Sequence, residues 1–339
     1  MSDITKIESL QETESEQGGG YGRWVAEIAA AKKELEKFHR KGRKIVKEFR
    51  ASNIEVSGVD TAMERKYNLF AANVNILSTA LMNQAPAVVV EREFHDVADD
   101  VARVACAILE RALSAHNNRN FRTANLIRQV VQDMLVPGAG VSWHTYHADI
   151  ETRTMQPTAA TEVEAGHDYH TGDKAEAFEY DEVVAEQLVD EYVYWEDLLW
   201  SPARTFEEVR WIGRKTYLTR DQLVKRFGKE GKKIPLNYSP KKTDNSVESK
   251  NIVFQQAVVY EIWDKPSHKV VWFCEGMEKL LDEKDDFLEL DDFFPCPQIL
   301  MGTCSNGQYL PVPDYSYAQD QYRELNEINT RISLLVRAC

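Results

Sequence analysis

Val258-Val259-Tyr260-Glu261-Ile262-Trp263 and Val270-Val271-Trp272-Phe273-Cys274 decide the fold class. Both runs are strand length and rich in β-branched and aromatic residues, with Pro266-Ser267-His268 between them as turn chemistry. They predict an antiparallel hairpin. Upstream, Val141–Tyr146 follows the turn Pro137-Gly138-Ala139-Gly140 and reads as a strand. Tyr192–Trp195, Leu198–Trp200 and Glu208–Thr216 read the same way, and 293–301 as an extended segment. Ala87-Val88-Val89-Val90, after Pro86, predicts a short buried strand.

Helical periodicity alternates with these runs. Over 23–50 the residues Trp24, Ile28, Leu35, Phe38, Ile45 and Phe49 keep to one stripe. The other faces carry Lys32, Lys33, Lys37, Arg40, Lys41, Arg43, Lys44, Lys47 and Arg50. Nine cations against Glu34, Glu36 and Glu48 make that stretch +6, which leaves -20 of the total -14 for the remaining residues. A second helix is predicted over 62–83, with Leu69, Phe70, Val74, Leu77 and Leu81 at helical spacing. A third, over 96–115, has Val97, Val101, Val104, Ile108 and Ala112 as its expected buried face, and a fourth spans 121–135. Thr219 and Gln222 form a predicted capping box for a short helix ending near Phe227-Gly228. The last helix follows Pro311-Val312-Pro313 and is expected from Ser316, with Gln319 completing another box. Leu325, Ile328, Ile332 and Leu335 recur at three, four and three, a narrow heptad-like stripe on a helix about 36 Å long.

The expected class is therefore α+β: helices packed with short mixed or antiparallel strands, followed by one long helix. Residues 1–21 are expected to be a disordered tail, polar and acidic before Gly18-Gly19-Gly20. The body is expected over 22–310, with an acidic, irregular insertion at 148–187 and a polar linker at 229–250. Residues 311–339 are expected to carry the start of the long helix. It reaches Cys339 without a Gly or Asn cap, as expected of a truncated fragment.

The chain has 339 residues, 43% apolar and 28% charged, enough for a substantial core. A net charge of -14 argues against a protein that grips duplex DNA over its whole surface, since Lys and Arg supply that affinity. Cys106, Cys274, Cys296, Cys304 and Cys339 are scattered, odd in number and without a CxxC pair, which favours reduced thiols. Residues 1–17 lack the apolar core of a signal peptide, and no run approaches the roughly 18 apolar residues of a membrane span.

Motifs for covalent chemistry are missing. Gly228-Lys229-Glu230-Gly231-Lys232-Lys233 is not a phosphate-binding loop, and neither GxSxG nor HExxH occurs. His144 and His147 are three apart in a predicted strand, so they point to opposite faces; His167 and His170 fall in the acidic insertion. Pairs such as Asp285-Asp286 and Asp291-Asp292 read as solvated loops. Trp195, Trp200, Trp211, Trp263 and Trp272 lie in or beside strands and are expected to fill the core. No enzyme, metal or cofactor is expected.

Taken in order, three stretches resemble the portal (head-to-tail connector) proteins of podovirus-type tailed phages. The first runs from Asn68-Leu69-Phe70-Ala71-Ala72-Asn73 to Pro86-Ala87-Val88-Val89-Val90. The second is Tyr194-Trp195-Glu196-Asp197-Leu198-Leu199-Trp200-Ser201-Pro202-Ala203-Arg204, with Val209-Arg210-Trp211 and Tyr217-Leu218-Thr219-Arg220-Asp221. The third joins Tyr260-Glu261-Ile262-Trp263-Asp264, Phe294-Pro295-Cys296-Pro297, Pro311-Val312-Pro313-Asp314-Tyr315 and Glu324-Leu325-Asn326-Glu327-Ile328-Asn329-Thr330-Arg331-Ile332. The resemblance covers most of 62–337; the insertion at 148–187 matches no part of the family pattern.

The resemblance implies that the body is a portal wing and that the helix from Ser316 begins a stem, with Leu325, Ile328, Ile332 and Leu335 as its packing positions. It implies a ring of twelve copies at a capsid vertex, through which double-stranded DNA is packaged and ejected. Implied partners are further copies of the chain, a packaging ATPase (terminase), scaffold and major capsid proteins, and tail or adaptor proteins. The implied location is the virion, with the host cytoplasm during assembly and no membrane. Within that reading the nine cations of 32–50 are candidates for a subunit contact or a DNA-facing surface. The competing readings are a nucleic-acid-binding module built on 32–50, a metal-dependent hydrolase, and a head-completion or adaptor protein.

Overall fold

The computed structural model describes residues 20–50, 68–83, 86–92, 99–118, 122–155, 178–239, 255–305 and 307–338. The expected tail up to residue 19, the starts of the second and third predicted helices (62–67 and 96–98), the middle of the acidic insertion (156–177), His167, His170 and the second half of the linker (240–250) lie outside the described residues. The chain is α+β, and its contacts divide it into a large unit (1–143 with 191–339) and a small one (144–190).

At the centre of the large unit is an antiparallel sheet of five strands, β3 (Leu198–Trp200), β4 (Trp211–Leu218), β5 (Ala257–Asp264), β6 (Lys269–Cys274) and β7 (Asp282–Asp285), in that order. The predicted hairpin is β5–β6, with Tyr260 opposite Phe273 and Ile262 opposite Val271. Its turn uses a left-handed residue, His268 (φ 52°). The apolar runs do not alternate because both faces are covered. On one side Trp24 of α1 (Tyr21–Phe49) meets Trp211 edge-on at 6.1 Å, and Tyr21 meets Phe273 at 5.8 Å. Among the residues that follow the sheet, Phe287 and Phe293 pack on Trp263 at 5.3 and 5.6 Å. All five tryptophans expected in the core are buried, as are Trp24 and Trp143. The strand expected over 208–216 begins only at Trp211, because the Val209 N–H is used in a turn to the Phe206 carbonyl at 3.1 Å.

A helical layer adjoins this core. Asn68 caps α2 (Leu69–Leu81): its Oδ1 accepts from the Ala71 N–H at 2.9 Å, while its Nδ2 donates to the Phe49 carbonyl at 2.8 Å. One side chain thus ends α1 and starts α2. Phe70 and Val74 pack with Ile45 and with Val131 and Leu135 of α4 (Arg122–Leu135). β1 (Ala139–Met155) follows α4 through a turn at Gly138 (φ 110°). At Gly140 a Cβ would stand 2.1 Å from the Val130 carbonyl oxygen, so only glycine lets strand and helix touch there. α5 (Arg220–Gly231) starts as predicted, with the Thr219 N–H donating to Gln222 Oε1 at 2.9 Å, and breaks at Gly228 (φ 56°).

Several expectations are corrected. Residues 86–92 form no strand and pair with no ladder among the described residues; Val89 is 69% exposed, because an apolar run is buried only where a sheet receives it. The insertion is not irregular throughout: 148–155 and 178–187 belong to β1 and β2 (Phe178–Val193). Within the small unit, Arg153 pairs with Glu182 at 2.6 Å and the Tyr146 hydroxyl donates to Glu186 at 2.6 Å, contacts that composition cannot reveal. The linker is anchored at its start, where Ile234 is fully buried and Tyr238 lies 4.2 Å from the Tyr217 ring. In 293–301 only Leu300–Met301 (β8) joins a strand, β1, since Pro295 and Pro297 lack the N–H a ladder needs. Cys304–Ser305 (β9) and Gln308–Pro311 (β10) form a separate pair.

Candidate assembly surface

The long last helix, α6, spans Tyr315–Ala338. It begins one residue before Ser316, whose hydroxyl makes no hydrogen bond, so the expected Ser316–Gln319 box does not form. Its first turns are held against α2. Tyr315 and Tyr322 stack on each other at 5.6 Å and lie against Phe70, and Asn73 Nδ2 donates to the Tyr322 hydroxyl at 3.0 Å. Beyond Tyr322 the stripe Leu325, Ile328, Ile332 and Leu335 is exposed, Leu335 at 67%. No described residue covers these four side chains fully.

α3 (Asp100–Asn118) behaves alike. Its expected buried face is open: Val101 is 81% exposed, Ile108 62%, and Val104 and Ala112 are exposed too, while Val97 lies outside the described residues. Burial needs a second surface, and periodicity reports only that a helix has an apolar face. α2 likewise leaves Ile76, Leu77 and Leu81 exposed. Exposed apolar side chains gathered on helix faces rather than scattered singly are the kind found at protein or membrane interaction sites and ligand grooves.

The basic helix divides into two sets. Lys32 Nζ donates to the Tyr260 hydroxyl at 2.8 Å and pairs with Glu275 at 2.6 Å; Arg43 pairs with Glu196 at 2.7 Å. These two cations find acidic partners in their own chain. Lys33, Lys37, Arg40, Lys41, Lys44, Lys47 and Arg50 are exposed. Lys33, Lys37, Arg40, Lys44 and Lys47 follow at four, three, four and three, so they form one ridge along α1, opposite the face that covers the sheet.

Buried polar groups were not legible as a set. Arg214 on β4 pairs with Glu261 at 3.0 Å and Glu191 at 2.6 Å, and its guanidinium lies 4.8 Å from the Trp143 ring centroid. It ties the body ends of β1 and β2 to the sheet. Tyr192 donates to Asp133, whose carboxyl burial pushes up to about 7. His39, between the Phe38 and Trp195 rings, is pushed down to about 4 by burial. Lys215 is lowered by burial although Asp197 stands 3.5 Å away, and burial raises Asp197 in turn. Each of these groups sits within packed structure rather than at a cleft.

Among the described residues no three His, Cys, Asp or Glu side chains gather to hold a metal ion, and His144 Nδ1 lies 2.8 Å from Asp190 Oδ1. Cys106, Cys274, Cys296 and Cys304 are free thiols. No helix among the described residues is long and apolar enough to cross a membrane. A scan of protein-family models finds none that matches the chain, and a search of curated proteins finds no match.

Proposed function

We propose that this chain is a structural subunit of a phage portal ring, a conduit for double-stranded DNA that acts by shape and not by making or breaking bonds. The observation that carries the reading is the exposed heptad stripe of α6, set beside the open face of α3. Covering the exposed half of four Leu and Ile side chains contributes about 3–6 kcal/mol per contact, and a ring repeats that contact around its whole circumference. The sequence resemblance to podovirus-type portals supports the same reading: the body is the wing, and α6 begins the stem. The ring would then dock a packaging ATPase and capsid proteins during filling and tail or adaptor proteins afterwards. The test is native mass spectrometry and negative-stain imaging of the concentrated full chain. Closed rings with a central opening are expected; a chain that stays monomeric at high concentration overturns the proposal.

The basic ridge of α1 favours one competing reading, a nucleic-acid-binding module. That reading requires monomeric protein to bind duplex DNA with an affinity that falls steeply between 50 and 200 mM salt. The portal reading expects little binding by the monomer, and fluorescence anisotropy with a labelled duplex separates the two.

A further inference from the structure

We infer that the α6 stripe of one copy seats antiparallel on α3 of the next copy, an inference that rests on the ring reading. A ring closes through two different patches on each subunit, because the contact is head-to-tail. α6 offers one continuous stripe, Leu325, Ile328, Ile332 and Leu335, and so can serve one side of that contact only. The other side must come from a different element. α3 exposes Val101, Ala105, Ile108, Ala112 and Ala115 at spacings of four, three, four and three, the same heptad repeat as α6. The alanines leave holes where the α6 stripe presents Leu and Ile knobs. α2 is the weaker counterpart, since its exposed Ile76, Leu77 and Leu81 span barely more than one turn.

Charge sets the direction and register. Arg111 on α3 and Glu324 on α6 are exposed and make no ion pair among the described residues. Each directly precedes a seam residue, Ala112 and Leu325, and so flanks the seam at the equivalent heptad position. Equivalent flanks face one another when two helices run antiparallel. With Arg111 opposite Glu324, the seam layers become Ile108 on Leu325, Ala105 on Ile328 and Val101 on Ile332. Small meets large in the middle layer, and β-branched residues meet in the last.

Cysteine pairing between copies tests this. In full-length chain carrying Cys106→Ser, Cys304→Ser and Cys339→Ser, one preparation receives Ala105→Cys and a second Ile328→Cys. The two are mixed, assembled and oxidised. A disulfide between the two preparations is expected, with none when either is oxidised alone. Rings that form without the 105–328 link, or that link 105 to 105 or 328 to 328, overturn the pairing and leave the ring reading standing. Absence of rings in the unsubstituted chain removes both. Independently, Arg111→Glu is expected to raise the concentration for half-assembly about two- to fivefold, with Glu324→Arg in the same chain restoring it. Failure of that rescue while rings persist also overturns the register.

Discussion

Replacing Arg214 with methionine is expected to cost the fold about 3 kcal/mol, because it leaves Glu261 as a buried carboxylate without its partner. The Arg214 side chain is 10% exposed and that of Glu261 5%, and their atoms meet at 3.0 Å. Removing one partner of such a pair costs about 3–5 kcal/mol, most of it the penalty of the orphaned charge. The lower end applies here. Arg226, whose guanidinium lies 4.8 Å from the Trp272 ring centroid, still attracts Glu261, and Trp263 Nε1 still donates to Glu261 Oε1 at 3.1 Å. For a body of this size, 3 kcal/mol corresponds to roughly 5 °C in Tm. All seven tryptophans are buried, so urea unfolding followed by tryptophan fluorescence reads the change directly. The double variant Arg214→Met, Glu261→Gln removes both charges and should recover part of the loss, whereas Glu261→Gln alone leaves Arg214 its bond to Glu191. A loss below about 1 kcal/mol in Arg214→Met, or a double variant no more stable than that single one, would refute the claim that charge pairing anchors β4 to the ends of β1 and β2.

Two buried groups give opposite responses to pH. His39 is held at about 4 against an ordinary 6.5, so the unfolded chain binds the extra proton and stability falls as pH drops from 6.5 to 4, by up to about 3 kcal/mol. Asp133 is held at about 7 against 3.8, so the folded chain keeps the proton; its contribution is full below 3.8 and lost as pH rises to 7. His39→Leu should therefore gain on the unsubstituted chain as pH falls, and Asp133→Asn should gain as pH rises. Unfolding measured at pH 4.5, 6 and 8 checks both, and stability differences that do not change with pH would contradict them. On the exposed basic surface of α1, Lys41→Glu, Lys44→Glu and Lys47→Glu together should change monomer stability by less than about 1 kcal/mol, since all three side chains are exposed. Ring assembly should weaken and lose part of its salt dependence. Assembly that is intact at both low and high salt takes that surface out of the subunit contact.

Legibility followed the range of the interaction. The β5–β6 hairpin and the Thr219–Gln222 cap involve residues close in sequence, and both stand where composition placed them. The tryptophans were legible because a ring that size in a strand has nowhere to go but the core. Arg214, Asp133 and His39 were not. Nothing local distinguishes them from exposed polar residues until Glu261, Tyr192 and Trp195 arrive from elsewhere in the chain. The acidic stretch misled for the same reason: cross-strand pairs such as Arg153–Glu182 make a ladder from residues that singly read as loop.

The sequence by itself determined the α+β class, the apolar stripes of α1, α2, α3 and α6 and the cations on the other faces of α1, because periodicity and local propensity act over a few residues. Tertiary structure alone decided which of those faces are used. Trp24, Leu35 and Phe38 meet a sheet within the chain and are buried, whereas Ile108 and Ile332 are left exposed among the described residues. Burial is a property of two surfaces, and one stretch of sequence describes only one of them.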